Sequence, residues 1–197
     1  MSNSTTTAAT PSGSDSDMLL LRSNLKQLRL PTIGREFEKL AREAASSNQT
    51  FEQYLLRLTE LEVTTRQSNA LQARIKQANL LVEKDLDSFD FSAIPSLNKQ
   101  KILELARGEW ITNHSNVCLL GQPGTGKTHI AISLAAAACR QGHTVRFFTA
   151  ATLVNLLEEK QKAYLLDRYL TQLDRTDLLI VDELGYLSFS RGGAELL

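Results

Sequence analysis

Cysteine is scarce in this chain. Two residues, Cys118 and Cys139, stand in 197, too few for a disulfide scaffold and without the spacing of a zinc site. The simplest expectation is a reducing compartment. An excess of charge is also missing, because 22 basic side chains balance 22 acidic ones. Any nucleic-acid contact must then come from a local patch and not from the field of the whole molecule. No apolar run approaches the roughly 20 residues of a membrane span, and the amino terminus has no basic segment leading into an apolar core. These absences predict a soluble, cytoplasmic protein without a membrane partner. What is present is a hydrophobic fraction of 42%, ordinary for a chain that buries a core, in a length that allows one medium domain and a small appendage.

Composition divides the chain. Residues 1–17, rich in Ser and Thr, offer almost nothing apolar to offset the entropy of ordering them and predict a disordered tail. Residues 18–82 read as an all-helical module. Leu21, Leu25 and Leu28 sit at helical spacing before Pro31, and Ile33, Phe37, Leu40 and Ala44 share a face of a second helix. Thr50 and Gln53 make a capping box opening a third, with Phe51, Leu55 and Leu58 as its apolar positions and an end near Leu81. An acidic stretch over 83–95 reads as a linker, with Phe89 and Phe91 alternating as in extended chain. Residues 96–197 then alternate short apolar runs with helices: a helix capped by Ser96 and reaching Asn113, a strand at 117–121, a helix from Gly126 to Gln141, and a strand at 145–149. Helices from about Ala150 to Lys160 and from Tyr164 to Leu173 lead to the run at 177–183. That alternation predicts an α/β domain with parallel strands covered on both faces.

Gly121-Gln122-Pro123-Gly124-Thr125-Gly126-Lys127-Thr128 fits the phosphate-loop pattern GxxxxGK[ST]. Backbone amides must converge on phosphate oxygens there, and side chains at Gly121, Gly124 and Gly126 would obstruct them. Lys127 places a positive charge near the β and γ phosphates, Thr128 offers a hydroxyl to Mg2+, and the following helix aims its positive end at the anion. Chance alone produces the pattern in roughly 1% of chains this long. An apolar run before it and an Ala-rich helix after it favour a nucleotide site over an ordinary glycine turn. The run Leu178 to Val181 ends in Asp182 and Glu183. A buried parallel strand delivers its carboxyl end to the nucleotide crevice, so Asp182 would hold Mg2+ directly or through water. Glu183 would polarise the attacking water, which favours hydrolysis over kinase chemistry.

With those residues in place, the stretches GQPGTGKTHIAISLAAAACRQGHTVRFFTAATLVNLL (121–157) and DLLIVDELGYLSFSRGGAELL (177–197) resemble the IstB-type helper ATPases of insertion-sequence transposition. These are relatives of the DnaC helicase loaders in the AAA+ class. The resemblance continues upstream through LRLPTIGREFEKL (28–40) and FDFSAIPSLNKQKILELA (89–106). It implies an AAA+ P-loop ATPase domain using ATP and Mg2+, Lys127 and Glu183 as catalytic groups, and a helical module for assembly and contact with DNA or a partner. It also implies ATP-dependent homo-oligomers on DNA that act with a transposase. Phe89 and Phe91 would stack against adenine or line its pocket, or else simply dock the linker onto the core.

Two departures accompany the resemblance. The stretch 66–74 is poorer in arginine than its family counterpart, so Arg66, Arg74 and Lys76 stand either as phosphate contacts or as a solvated helix face. The implied sheet order, 5-1-4-3-2, is covered here only through its third strand. The expectation is then an incomplete ATPase domain, missing a polar sensor and an arginine finger, that binds nucleotide weakly and hydrolyses it hardly at all. The competing readings are a loader of a replicative helicase, a non-hydrolysing relic that acts as an interaction module, and, least favoured, a small-molecule kinase.

Overall fold

The computed structural model describes residues 15–80, 84–185 and 191–196. The predicted tail lies outside them up to residue 14, but residues 15–17, expected to be disordered, begin the first helix, and the third helix ends at Ala78, short of the expected Leu81. The chain forms two compact units, Met1–Asn69 and Ala70–Leu197.

The first unit is helical. Helix α1 (Asp15–Gln27) and helix α2 (Pro31–Ser46) are followed by helix α3 (Phe51–Ala78), which continues into the second unit. Leu25, Ile33, Phe37, Leu40 and Leu58 make its core, with Tyr54 packed against them. The face expected on α2 is the one that is buried. The capping box forms as expected, with the Thr50 amide donating to Gln53 Oε1 (3.0 Å) and the Gln53 amide to Thr50 Oγ1 (3.2 Å). The inward face of α3 differs from expectation. Phe51 is 90% exposed and Leu55 60%, whereas Leu58 is buried and so is Glu62. The reason is electrostatic. Glu62 accepts hydrogen bonds from the Thr32 (2.8 Å) and Ile33 (3.0 Å) amides, the free donors of the first turn of α2, which has no side-chain cap of its own. The stripe turned inward is therefore 54/58/62. Arg66 donates to Glu62 (2.8 Å) and to the Arg29 carbonyl, so it serves this clamp.

In the second unit a 3-10 turn (Phe91–Ala93) precedes helices α4 (Lys99–Leu105) and α5 (Glu109–Thr112). The single helix expected from Ser96 to Asn113 is thus two. Asn98, not Ser96, caps the first, accepting from the Lys101 amide (3.0 Å), and Gly108, in the left-handed region (φ +79°), separates them. Helix α6 (Lys127–Arg140) is largely buried; strand β1 (Val145–Thr149), helix α7 (Ala150–Lys162), helix α8 (Leu166–Leu173), strand β2 (Leu178–Asp182) and helix α9 (Arg191–Leu196) follow. The strands are parallel, with Val145 opposite Leu178 and Thr149 opposite Asp182. Thr144 and Asp177 fix that register at the amino-terminal ends: the Thr144 amide (2.7 Å) and hydroxyl (2.8 Å) both donate to Asp177 Oδ2.

Residues 117–121, expected as a strand, lie outside any ladder among the described residues. Val117 and Leu119 are half-buried while Cys118 and Leu120 are exposed, the alternation of an extended segment packed on one side. A strand needs a hydrogen-bonded neighbour. Cys118 is exposed and Cys139 is buried.

Candidate functional site

The loop 121–126 joins the extended segment to α6. Gly124 and Gly126 both take positive φ, +79° and +75°, which L side chains rarely adopt. Gly126 is also the position before α6, and no side chain caps that helix. Its first amides are therefore free to meet an anion. Thr125 Oγ1 donates to the Gln122 carbonyl (2.8 Å) and closes the turn around Pro123. Lys127 folds back on its own loop: Nζ donates to the carbonyls of Gly121 (2.9 Å) and Gln122 (2.8 Å). The ammonium thus rests on two neutral acceptors that a phosphate oxygen can replace with a stronger, charged one.

The acidic pair lies across from this loop. Thr128 Oγ1 donates to Asp182 Oδ2 at 2.6 Å, spanning 54 positions of sequence. Asp182 Oδ1 accepts the Glu183 amide (2.9 Å), so both carboxylate oxygens are oriented. Glu183 is exposed, and its backbone sits in the left-handed region at φ +62°. For a side chain without glycine's freedom that conformation costs of order 1 kcal/mol and is concentrated at functional sites. The extended segment, β2 and the loop enclose a groove of about 960 Å³ whose lining includes Lys127, Thr128, Asp182 and Glu183.

A hydroxyl and a carboxylate in contact are hard oxygen donors, the chemistry that Mg2+ selects, with phosphate and water oxygens to complete its shell. No cluster of three or more His, Cys, Asp or Glu side chains suited to holding a metal alone occurs among the described residues. Thr128 and Asp182 therefore fit an ion that arrives with a phosphate ligand.

Phe89 lies on the loop's flank. A Cβ built on Gly126 would meet Phe89 Cε2 at 2.6 Å, so the ring lies directly against that glycine. The same ring contacts Phe91 (centroids 4.8 Å) and His129 (5.1 Å), both edge to face. His129 faces Asp85 and Ser88, its Nε2 lying 3.0 Å from the Asp85 carbonyl. The buried Glu62 was missed by sequence reasoning, and the one signal for it is Leu30, an apolar residue at the cap position of α2 that leaves the first amides without a side-chain acceptor.

A family model described as "IstB-like ATP binding protein" matches residues 23–197. Among curated proteins, the chain is 35% identical over 171 residues to the protein named for ATP binding in insertion sequence IS5376 of Geobacillus stearothermophilus, covering 87% of this chain and 68% of that one. It is 34% identical to its counterpart in insertion sequence IS21 of Pseudomonas aeruginosa, covering 87% and 65%, and 30% identical to that of IS232 of Bacillus thuringiensis, covering 89% and 70%. The chain spans about two thirds of the length of these relatives. Among the described residues no helix is long and apolar enough to cross a membrane.

Proposed function

Because the chain belongs to the IstB-like ATP-binding protein family, we propose that it binds ATP with Mg2+ at the 121–128 loop and that nucleotide binding serves DNA transposition. The observation that carries the site is the 2.6 Å hydrogen bond from Thr128 to Asp182, which joins the loop and the acid-bearing strand at one point. One ligand can then engage the free amides of α6, Lys127 and the Thr128/Asp182 pair together. Support for transposition comes from the relatives, which are named for insertion sequences.

The residues divide the chemistry among them. Amides of the loop and of the first turn of α6 receive phosphate oxygens, and Lys127 exchanges two carbonyls for the β and γ oxygens. Thr128 and Asp182 hold Mg2+, which, when bound, neutralises charge on the phosphate chain. Glu183, one residue beyond, accepts a proton from the water that attacks the γ phosphorus, as the bond from that phosphorus to the bridging oxygen breaks and ADP leaves. Acting on DNA, the protein would assemble with further copies of itself and with a transposase, nucleotide controlling that assembly.

Equilibrium binding of labelled ATP in the presence of Mg2+ tests the site. Lys127→Ala removes a charge-assisted contact of about 1.5–3 kcal/mol, which converts to roughly 10–100-fold weaker binding. Unchanged affinity in that variant overturns the assignment. Retention on DNA that is the same with and without ATP overturns the nucleotide-controlled assembly.

A further inference from the structure

We propose that Phe89 is a positioning residue for the phosphate loop, forming the wall against which the Gly126 turn closes, and that it acts on the phosphate chain and not on the base. The inference rests on the nucleotide reading of the loop. Three observations carry it. The Phe89 ring occupies the space that a side chain at residue 126 would fill, with Cε2 at 2.6 Å and Cζ at 3.1 Å from a Cβ built there. The same ring, half-buried, meets the rings of Phe91 (centroids 4.8 Å) and His129 (5.1 Å) edge to face. The backbone that carries it is pinned to the same turn of α6. His129 Nε2 meets the Asp85 carbonyl at 3.0 Å and Ser88 Oγ at 3.4 Å, and the Ser88 amide donates to Asp85 Oδ1 (2.8 Å). The segment 85–89 is thus fastened to α6 at His129 and bears on the loop at Gly126, one residue to either side of Lys127 and Thr128.

Gly126 is where this support matters. Its left-handed backbone turns the chain from loop into helix and aims the first amides of α6, and no side chain caps that turn from within. Glycine is free to relax into several conformations, so an external wall is what holds this one. Phosphate recognition by backbone amides depends on their direction and spacing, because each must meet an oxygen at hydrogen-bond distance and near-linear angle. A stacking platform for adenine would need an open ring face. Phe89 turns its Cε2–Cζ edge to Gly126 and shares edge-to-face contacts with Phe91 and His129, which orients it toward the loop backbone.

The test compares two ligands on the full chain, Mg2+·ATP and Mg2+·tripolyphosphate, which has the phosphate chain and no base. Wild type is expected to bind both. Phe89→Ala should weaken both by a similar factor, about tenfold, leaving the ratio of the two Kd values as in wild type. Phe89→Leu, which keeps apolar volume against Gly126 and lacks a ring to stack, should recover most of both affinities at the same ratio, and it carries the comparison if the alanine variant does not fold. A variant that loses ATP affinity alone makes Phe89 a base-stacking residue and overturns the proposal, as does a pair of variants that bind both ligands like wild type. If wild type binds neither ligand, the nucleotide reading itself fails, a result distinguishable from both of these.

Discussion

Replacing Glu62 with glutamine should unlatch helix α2 while keeping the shape of the side chain. Glu62 is 3% exposed, and its oxygens accept the Thr32 and Ile33 amides and the Arg66 guanidinium, all donors. An amide can face only some of them with its oxygen, and its NH2 group must then point at another donor. Leaving a buried donor unsatisfied costs about 1–3 kcal/mol. Losing the negative charge at the start of α2 adds about 0.3–1 kcal/mol, and the pair with half-exposed Arg66 about 0.3–0.5 kcal/mol. The sum is about 1.6–4.5 kcal/mol, which corresponds to at least roughly 15-fold faster opening. Amide hydrogen exchange across 31–46 reads this directly, since the Thr32 and Ile33 amides owe their protection to Glu62. Arg66→Ala should cost only about 0.5 kcal/mol. Burial raises the Glu62 pKa, but the hydrogen bonds from the Ile33 amide, Arg66 and the Thr32 amide outweigh it and hold the carboxyl below its ordinary 4.5. The clamp's contribution is therefore fully present above that value and is lost as pH falls through the lowered one. Glu62→Gln should erase that acid-side loss. Exchange in the variant within threefold of wild type would refute the reasoning.

Two further outcomes follow from other contacts. Glu183→Gln should leave ATP affinity within about twofold and lower any ATP turnover by about 100-fold or more, as expected for removal of a general base; a phosphate-release assay on both forms decides it. Asp177→Asn should destabilise the second unit by no more than about 1 kcal/mol, because the carboxylate is half-exposed and screened. Hydrogen bonds from the Thr144 amide and hydroxyl hold the Asp177 pKa below 3.8. Its contribution is present above that value and fades as pH falls through the lowered one, so the variant's acid-unfolding curve should be shallower there.

The legibility of the site differed from residue to residue for physical reasons. The phosphate loop and α6 could be read because their determinants are local: glycines where the backbone must turn, a lysine and threonine at fixed offsets, and an Ala-rich helix after them. The strands at 145–149 and 178–182 were legible because short stretches with three or four apolar residues, β-branched or aromatic among them, have few other uses in an α/β chain. The segment 117–121 has the same look and forms no ladder, since pairing is decided by a neighbour that no local pattern contains.

By itself, then, the sequence determined most of the helices, the two paired strands, the anion-binding turn and the acids that would face it, because each depends on residues within one element. Tertiary structure alone decided that Thr128 and Asp182 touch across 54 positions, that Glu62 is the buried cap of a helix 30 residues before it, and that Phe89 bears on Gly126. Each of those contacts joins distant segments. Their energies depend on burial and on which donors are left without partners, and both are properties of the packed chain that no single stretch of sequence contains.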